Sequence, residues 1–328
     1  MRISILLTIL TVIISCSKTE LHKHKHGWGN DKAAFAYTAF ALANPVNKKI
    51  KLNNLRYQSF SVDENFLKEK LSEFSGAKTF FINKEETRIS ERKSKAGEKL
   101  AIAYLEKEFS RYGYKTSRHK YGFLTKRENF IAELEGKDPS KVLIISAHID
   151  SVGNAGANDD GSGVISMLAI AKALKDFDFK YTLRFVGFSG EEIGLVGSRY
   201  YVKSIKNKKS IIGNIQLEMM ATNSRKDGAF HVIDCDKKNS LFLSQHLLSS
   251  ISDLSIDLQN VPACTSASDH SNFWKAKIPS IVLSENFFGG DGDPCYHKKC
   301  DVVDDRIDFG YMAKITNAVA STVEAILR

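Results

Sequence analysis

Proline is scarce in this chain, with 5 in 328 residues, and glycine contributes only 21. With 43% of residues hydrophobic, that composition excludes a collagen-like or mainly disordered polypeptide and allows a large core. Cysteine is also sparse, 5 in all, and no two are spaced C-x-x-C, so a thiolate zinc site is not expected. Long apolar runs are missing. The run at residues 3–14 would reach about 18 Å as a helix, too short for a hydrocarbon core of about 30 Å. A commanding charge of one sign is missing too: 47 Lys and Arg face 38 Asp and Glu, a net +9. Eight bases against two acids fall between residues 18 and 56, so much of that surplus is local. The remainder is only mildly basic, and no nucleic-acid partner is expected.

Arg2, the short apolar run and a small residue before the break form a signal-peptide pattern. Its end, Ile13-Ile14-Ser15-Cys16, is similar to a bacterial lipobox, with isoleucine where leucine is usual. Acylated Cys16 would then be the mature N-terminus; the alternative is a plain secretory signal in which Cys16 is incidental. Either way the protein is exported. The expected organisation is a signal peptide with lipobox at 1–16 and a basic tether at 17–54. A helical extension at 55–88 precedes a catalytic domain at 89–328. His22, His24 and His26 alternate with lysines that would repel a cation, which favours a solvated tether over a metal clip. Export permits disulfides. Cys295 and Cys300 could close a small loop around His297, whereas a Cys235–Cys264 pair is possible but has no support in the spacing.

Helical periodicity marks residues 62–73, 91–112, 164–174, 193–205, 241–251 and 309–327. Short β-branched runs at 130–134, 142–146, 183–188, 215–217, 230–233 and 281–284 read as strands. Several are apolar on consecutive residues, as strands buried on both faces are. Alternating β and α elements predict an α/β fold: a three-layer α/β/α sandwich around a mixed, mostly parallel sheet.

Acidic and imidazole side chains gather just after four of these strands, where open α/β sheets build their sites. His148 and Asp150 follow the second run and lead to Asn158-Asp159-Asp160-Gly161. Glu191-Glu192 follow the third run, Glu218 the fourth, and the loop carrying His297 the last. Singly, each has an ordinary explanation: a satisfied core histidine, a solvated loop, a turn leading into a helix cap. Glu218 is less ordinary, because a carboxylate between Ile-Gln-Leu and Met-Met should be buried, and buried charge is costly without a partner. Together they form a nitrogen and oxygen ligand set suited to zinc and similar divalent cations.

Five motifs in order, His148-x-Asp150, Asn158-Asp159-x-Gly-Ser-Gly163, Gly190-Glu191-Glu192-x-Gly194, Leu217-Glu218-Met219 and Cys295-Tyr296-His297-x-x-Cys300-Asp301, resemble the two-zinc aminopeptidase family. This is the aminopeptidase Y family of peptidase clan MH, which includes secreted bacterial leucyl aminopeptidases. The likeness runs from about Ile89 to the C-terminus, and Glu218 departs from the family's usual aspartate. The resemblance implies two Zn2+ per chain. Asp159 would bridge them, His148 and Glu218 would complete one site, and Glu192 and His297 the other. It further implies that Glu191 is the general base for a metal-bound hydroxide and that Tyr296 helps stabilise the oxyanion. Asp150 and Asp160 would support the ligands, Asp150 by accepting a hydrogen bond from His148, and the Asp159–Asp160 bond would be cis. The activity implied is removal of N-terminal residues from peptide substrates. A one-zinc glutaminyl cyclase or a carboxypeptidase of the same clan is the alternative. Ser268-Asp269-His270 is expected behind the ligands or at the pocket rim. Phe287-Phe288-Gly289-Gly290 either lines a pocket or packs as a loop.

Overall fold

The apolar run beginning at Val142 becomes the middle of an eight-stranded sheet. The computed structural model describes residues 56–122 and 126–328, which belong to one compact unit. The signal segment with Cys16 and the tether at 17–54 lie outside the described residues.

The chain enters through α1 (Glu64–Phe74), capped by Asp63, and a small hairpin of β1 (Phe80–Ile82) and β2 (Glu85–Thr87). Next come α2 (Lys95–Arg111), whose first turn is capped by Ser94, then β3 (Lys115–Tyr121) and β4 (Arg127–Leu134). β5 (Asp138–His148) leads through a kinked turn, Ala157–Ser162, into α3 (Gly163–Leu174). β6 (Tyr181–Phe188), α4 (Val196–Ser204), β7 (Ile211–Glu218), β8 (Ala229–Ile233) and α5 (Leu241–Asp253) follow. The chain closes with β9 (Gln259–Asn260), α6 (His270–Lys275), β10 (Ser280–Glu285) and α7 (Phe309–Leu327).

The sheet is ordered β3-β4-β6-β5-β7-β10-β8-β9. Its central strands β6, β5, β7 and β10 run parallel, while β3–β4, β4–β6 and β10–β8 pair antiparallel. Strand alternation sorts the core into two layers. Leu143, Ile145, Ala147, Leu183 and Phe185 join one cluster with α1, α2, α3, α5 and α7. Val142, Ile144, Val186 and Phe188 face the other way, onto Tyr201 and Val202 of α4 and Phe273 of α6. That is the three-layer α/β/α sandwich, with its sheet mixed and mostly parallel at the centre.

The stretch before Ile89 packs into the larger cluster through Leu67, Leu71, Phe74 and Phe80, all buried. Two disulfides, Cys235–Cys264 and Cys295–Cys300, suit an oxidising compartment outside the cytoplasm. Among the described residues no helix is long and apolar enough to cross a membrane.

Candidate metal centre

His148 ends β5, Glu218 ends β7, and Glu191-Glu192 follow β6, so parallel pairing brings them to the same edge of the sheet. Asp159 enters from the kinked turn after β5 and His297 from the loop after β10. Two trios result, His148 with Asp159 and Glu218, and Asp159 with Glu192 and His297; within each, the ligand atoms all lie within 4.8 Å of one another. Asp159 belongs to both. Its Oδ1 lies 3.0 Å from His148 Nε2 and its Oδ2 lies 3.2 Å from His297 Nε2. Glu218 Oε1 is 3.3 Å from His148 Nε2, and Glu192 Oε2 is 3.0 Å from His297 Nε2. Asp159 Oδ2 and Glu192 Oε1 are buried yet accept no hydrogen bond. Packing of this kind holds only if the imidazoles carry protons or cations sit among the carboxylates. Unprotonated oxygen and nitrogen donors, with two carboxylate oxygens left over, fit a pair of divalent cations.

Surrounding groups hold the donors in place. His148 Nδ1–H donates to the main-chain carbonyl of Asp150 at 3.2 Å, which turns the Nε2 lone pair toward the cluster. The Asp150 carboxylate is the expected acceptor for that proton, but its nearer oxygen lies 3.6 Å away. Its oxygens instead accept the backbone N–H groups of Glu191 at 3.1 Å and Glu192 at 3.2 Å, so Asp150 ties β5 to the glutamate loop. The Asp159–Asp160 peptide is cis. The Asp160 carboxylate accepts from the backbone N–H groups of His148, Gly163 and Met219 at 3.0–3.1 Å, which fastens β5, α3 and β7 together. A Cβ at residue 163 would lie 2.3 Å from Asp160 Oδ1, so glycine is required there.

Charge is dense. Burial raises the Glu191 carboxyl well above its ordinary value; the His148 charge opposes the rise, and Glu218, Asp269 and Glu192 add to it. Burial alone would lower His148, but the charge of Glu218 and contacts with Asp150 and Asp159 outweigh it and raise it. Burial, followed by the surrounding carboxylates, raises the Tyr296 hydroxyl, so it remains a proton donor. Its ring stacks on His297 at 3.8 Å.

Ser268 Oγ donates to Glu218 Oε2 at 2.6 Å, Asp269 accepts from Ser198, and His270 contacts the Thr265 carbonyl at 2.9 Å. The Phe287 ring lies 5.3 Å from Tyr296, while Phe288 packs over His231 and a small core of Ile233, Ala263 and Val282. Three residues without an assigned role in the sequence also act here. Asp301 accepts the backbone N–H groups of Asn158 at 2.7 Å and Asp159 at 3.2 Å, joining the His297 loop to the shared carboxylate. Glu285 accepts from Asn158, Thr222 and Asp293 at 2.8–2.9 Å, and burial pushes its carboxyl up to about 8. Arg92, fully buried, donates to carbonyls of the loop after His148. Glu285 carried a usable signal, since like Glu218 it closes an apolar strand.

The fold and this edge define a class: α/β sandwiches that gather carboxylates and imidazoles able to hold a metal ion where the parallel strands end. Within it, residues 129–323 match the Peptidase family M28, and the chain belongs to that family. Leupeptin-inactivating enzyme 1 of Streptomyces exfoliatus is 29% identical over 233 residues, covering 63% of this chain and 50% of that protein. Leucine aminopeptidase 2 of Trichophyton rubrum is 30% identical over 226 residues, covering 61% and 45%. The structure of BSAP, a zinc aminopeptidase from Bacillus subtilis, superposes with a TM-score of 0.57 at 27% identity, covering 62% and 51%. The chain spans about half the length of the curated relatives it matches.

Proposed function

We propose that this protein is an exported metallo-aminopeptidase that removes N-terminal residues from peptides with two zinc ions. The observation that carries the reading is Asp159, whose two carboxylate oxygens face two different imidazoles at 3.0 and 3.2 Å. His148 and Glu218 would hold one ion, Glu192 and His297 the other, and Asp159 both. Relatives named leucine aminopeptidase and zinc aminopeptidase support the activity. Such a cation pair supplies polarisation of a carbonyl and acidification of a water molecule.

The chain's own groups do the rest. Glu191, raised by burial, takes the proton of the attacking water and returns it to the leaving amine. Tyr296, held protonated, donates a hydrogen bond to the developing oxyanion. The carboxylate of Glu191 or Glu218 receives the substrate's free α-ammonium, which restricts cleavage to the N-terminus. Asp150 and Asp160 keep the ligand-bearing turns in register. Cys16 anchors the enzyme to a bacterial membrane through lipid, with the basic stretch at 17–54 as its spacer.

Metal analysis of the purified chain alongside a peptide-library digest read by mass spectrometry tests this. Two zincs per chain, and trimming of free but not acetylated N-termini, are expected. One zinc with pyroglutamate formation from glutaminyl peptides would replace the reading with the cyclase, and trimming from the C-terminus with a carboxypeptidase. Glu191→Gln should keep its zinc while kcat falls by about 10²–10⁴; normal turnover would remove Glu191 from the chemistry.

A further inference from the structure

The eight residues from Ile149 to Gly156 lead from His148, at the end of β5, toward the turn that carries Asp159 and Asp160. A short loop whose two ends are buried must satisfy the carbonyls there locally. Three of them converge on one side chain. Arg92 donates from Nε to Ile149 O at 2.8 Å, from Nη1 to Ala155 O, and from Nη2 to Gly156 O at 2.8 Å. Its own backbone N–H donates to Ser151 Oγ at 3.1 Å, and that hydroxyl donates to Asn154 O at 3.0 Å. Arg92 has no solvent exposure, and its guanidinium lies over the Phe74 ring of α1 at 4.7 Å. The fit is close: a Cβ at Gly156, where φ is +56°, would come within 2.5 Å of Nη2. Burial lowers this guanidinium below its usual value, and the charges of Asp301, Asp159, Asp160 and Asp150 oppose that only in part.

We infer that Arg92 is a positioning residue for the metal centre: it clamps the 149–156 loop so that His148 and Asp159 are spaced for cations before any cation arrives. Arg92 and Phe74 both precede the family-matched region at 129–323, so polypeptide outside that region takes part in building the centre. Lysine cannot replace it, because one ammonium cannot present a planar fork to three carbonyls. The inference rests on reading the two trios as a metal centre.

The test uses the full mature chain, wild type and Arg92→Lys, in metal-free and zinc-loaded forms. Zinc affinity is measured by chelator competition and amide exchange by mass spectrometry. Arg92→Lys should weaken zinc binding by about tenfold or more, the scale on which groups supporting metal ligands act. It should also speed exchange at 149–162 in the metal-free protein. Phe109→Leu, in the aromatic cluster with Tyr114, Phe130 and Phe185, is the comparison; it should lower Tm without moving zinc affinity. An Arg92→Lys protein with reduced Tm but wild-type zinc affinity and loop exchange would make Arg92 an ordinary core residue and overturn the inference. If Arg92→Lys does not fold, Phe74→Leu decides: weakened zinc binding supports the clamp and unchanged binding refutes it. Wild-type protein that binds no zinc would instead sink the functional reading, leaving loop exchange as the measure of the clamp.

Discussion

His231 makes a pH test of the fold that is independent of metal. It lies on β8, opposite Ser284 of β10, and is fully buried. Nδ1–H donates to Val261 O at 2.7 Å while Nε2 accepts the Phe288 N–H at 3.0 Å. The neutral ring is therefore satisfied at both nitrogens, and protonation would replace an acceptor with a second donor facing an N–H. Burial is the larger cause, offset in part by Val261, and it lowers the imidazole from 6.5 to about 4. A base whose folded pKa is depressed binds more protons unfolded than folded between those values, so stability rises with pH across that window. The contribution is full above the unfolded pKa of 6.5 and is lost as pH falls toward 4. Integrating that difference from neutral pH down to about pH 5 gives about 2 kcal/mol.

Urea unfolding of the metal-free protein at both pH values, for wild type and His231→Gln, measures this. Glutamine keeps one of the two hydrogen bonds, so the variant should be about 1 kcal/mol less stable at neutral pH. Its loss on acidification should be smaller than wild type's by about 2 kcal/mol, a relative midpoint shift of about 0.7–1 M for a slope of about 2–3 kcal/mol/M. Other groups titrating in the window, such as buried His270, also lowered to about 4, are common to both proteins and cancel. Parallel loss of stability in the two proteins would refute the assignment.

Asp159→Asn removes the charge that both trios share, so both zinc sites should empty together; metal analysis that finds one or both still filled would contradict the bridging role. Cys300→Ser should weaken zinc at the His297 side and lower kcat in oxidising buffer, because the Cys295–Cys300 link encloses the His297 loop. Equal activity of oxidised wild type and variant would leave the disulfide without a part in the site.

The strands that could be read from sequence are those buried on both faces. β5 and β6 carry consecutive apolar residues because helices cover them above and below. β3, Lys-Thr-Ser-Arg-His-Lys-Tyr, could not be, because it is an edge strand whose register is set by pairing with β4 rather than by its own pattern. At the site, His148, Asp159, Glu192, Glu218 and His297 could be singled out because each ends a strand or lies in the segment that follows one. Arg92 could not. It sits among Ser90, Glu91, Lys93 and Ser94, ahead of a helix cap, where a charge reads as solvated, and only the tertiary fold buries it. Asp150 was legible as a supporting group, yet its carboxylate serves two backbone N–H groups, and the main-chain carbonyl takes the His148 proton. The Cys235–Cys264 pairing gave no sign in the spacing, since its partners are 29 residues apart.

The departure that the resemblance implies at position 218 is where composition and geometry meet. A glutamate in place of aspartate carries one more methylene and one more rotatable bond, which alone would leave its carboxylate free to swing. Here it is not free. Gln216, two residues back on the same face of β7, donates to Glu218 Oε2 at 3.0 Å, and Ser268 Oγ donates to the same oxygen at 2.6 Å. Gln216 also donates to Ser268 at 2.5 Å, which closes a ring of three side chains. With Oε2 held by two donors, Oε1 is the atom presented to His148, at 3.3 Å. The longer side chain thus reaches the cluster through one defined oxygen.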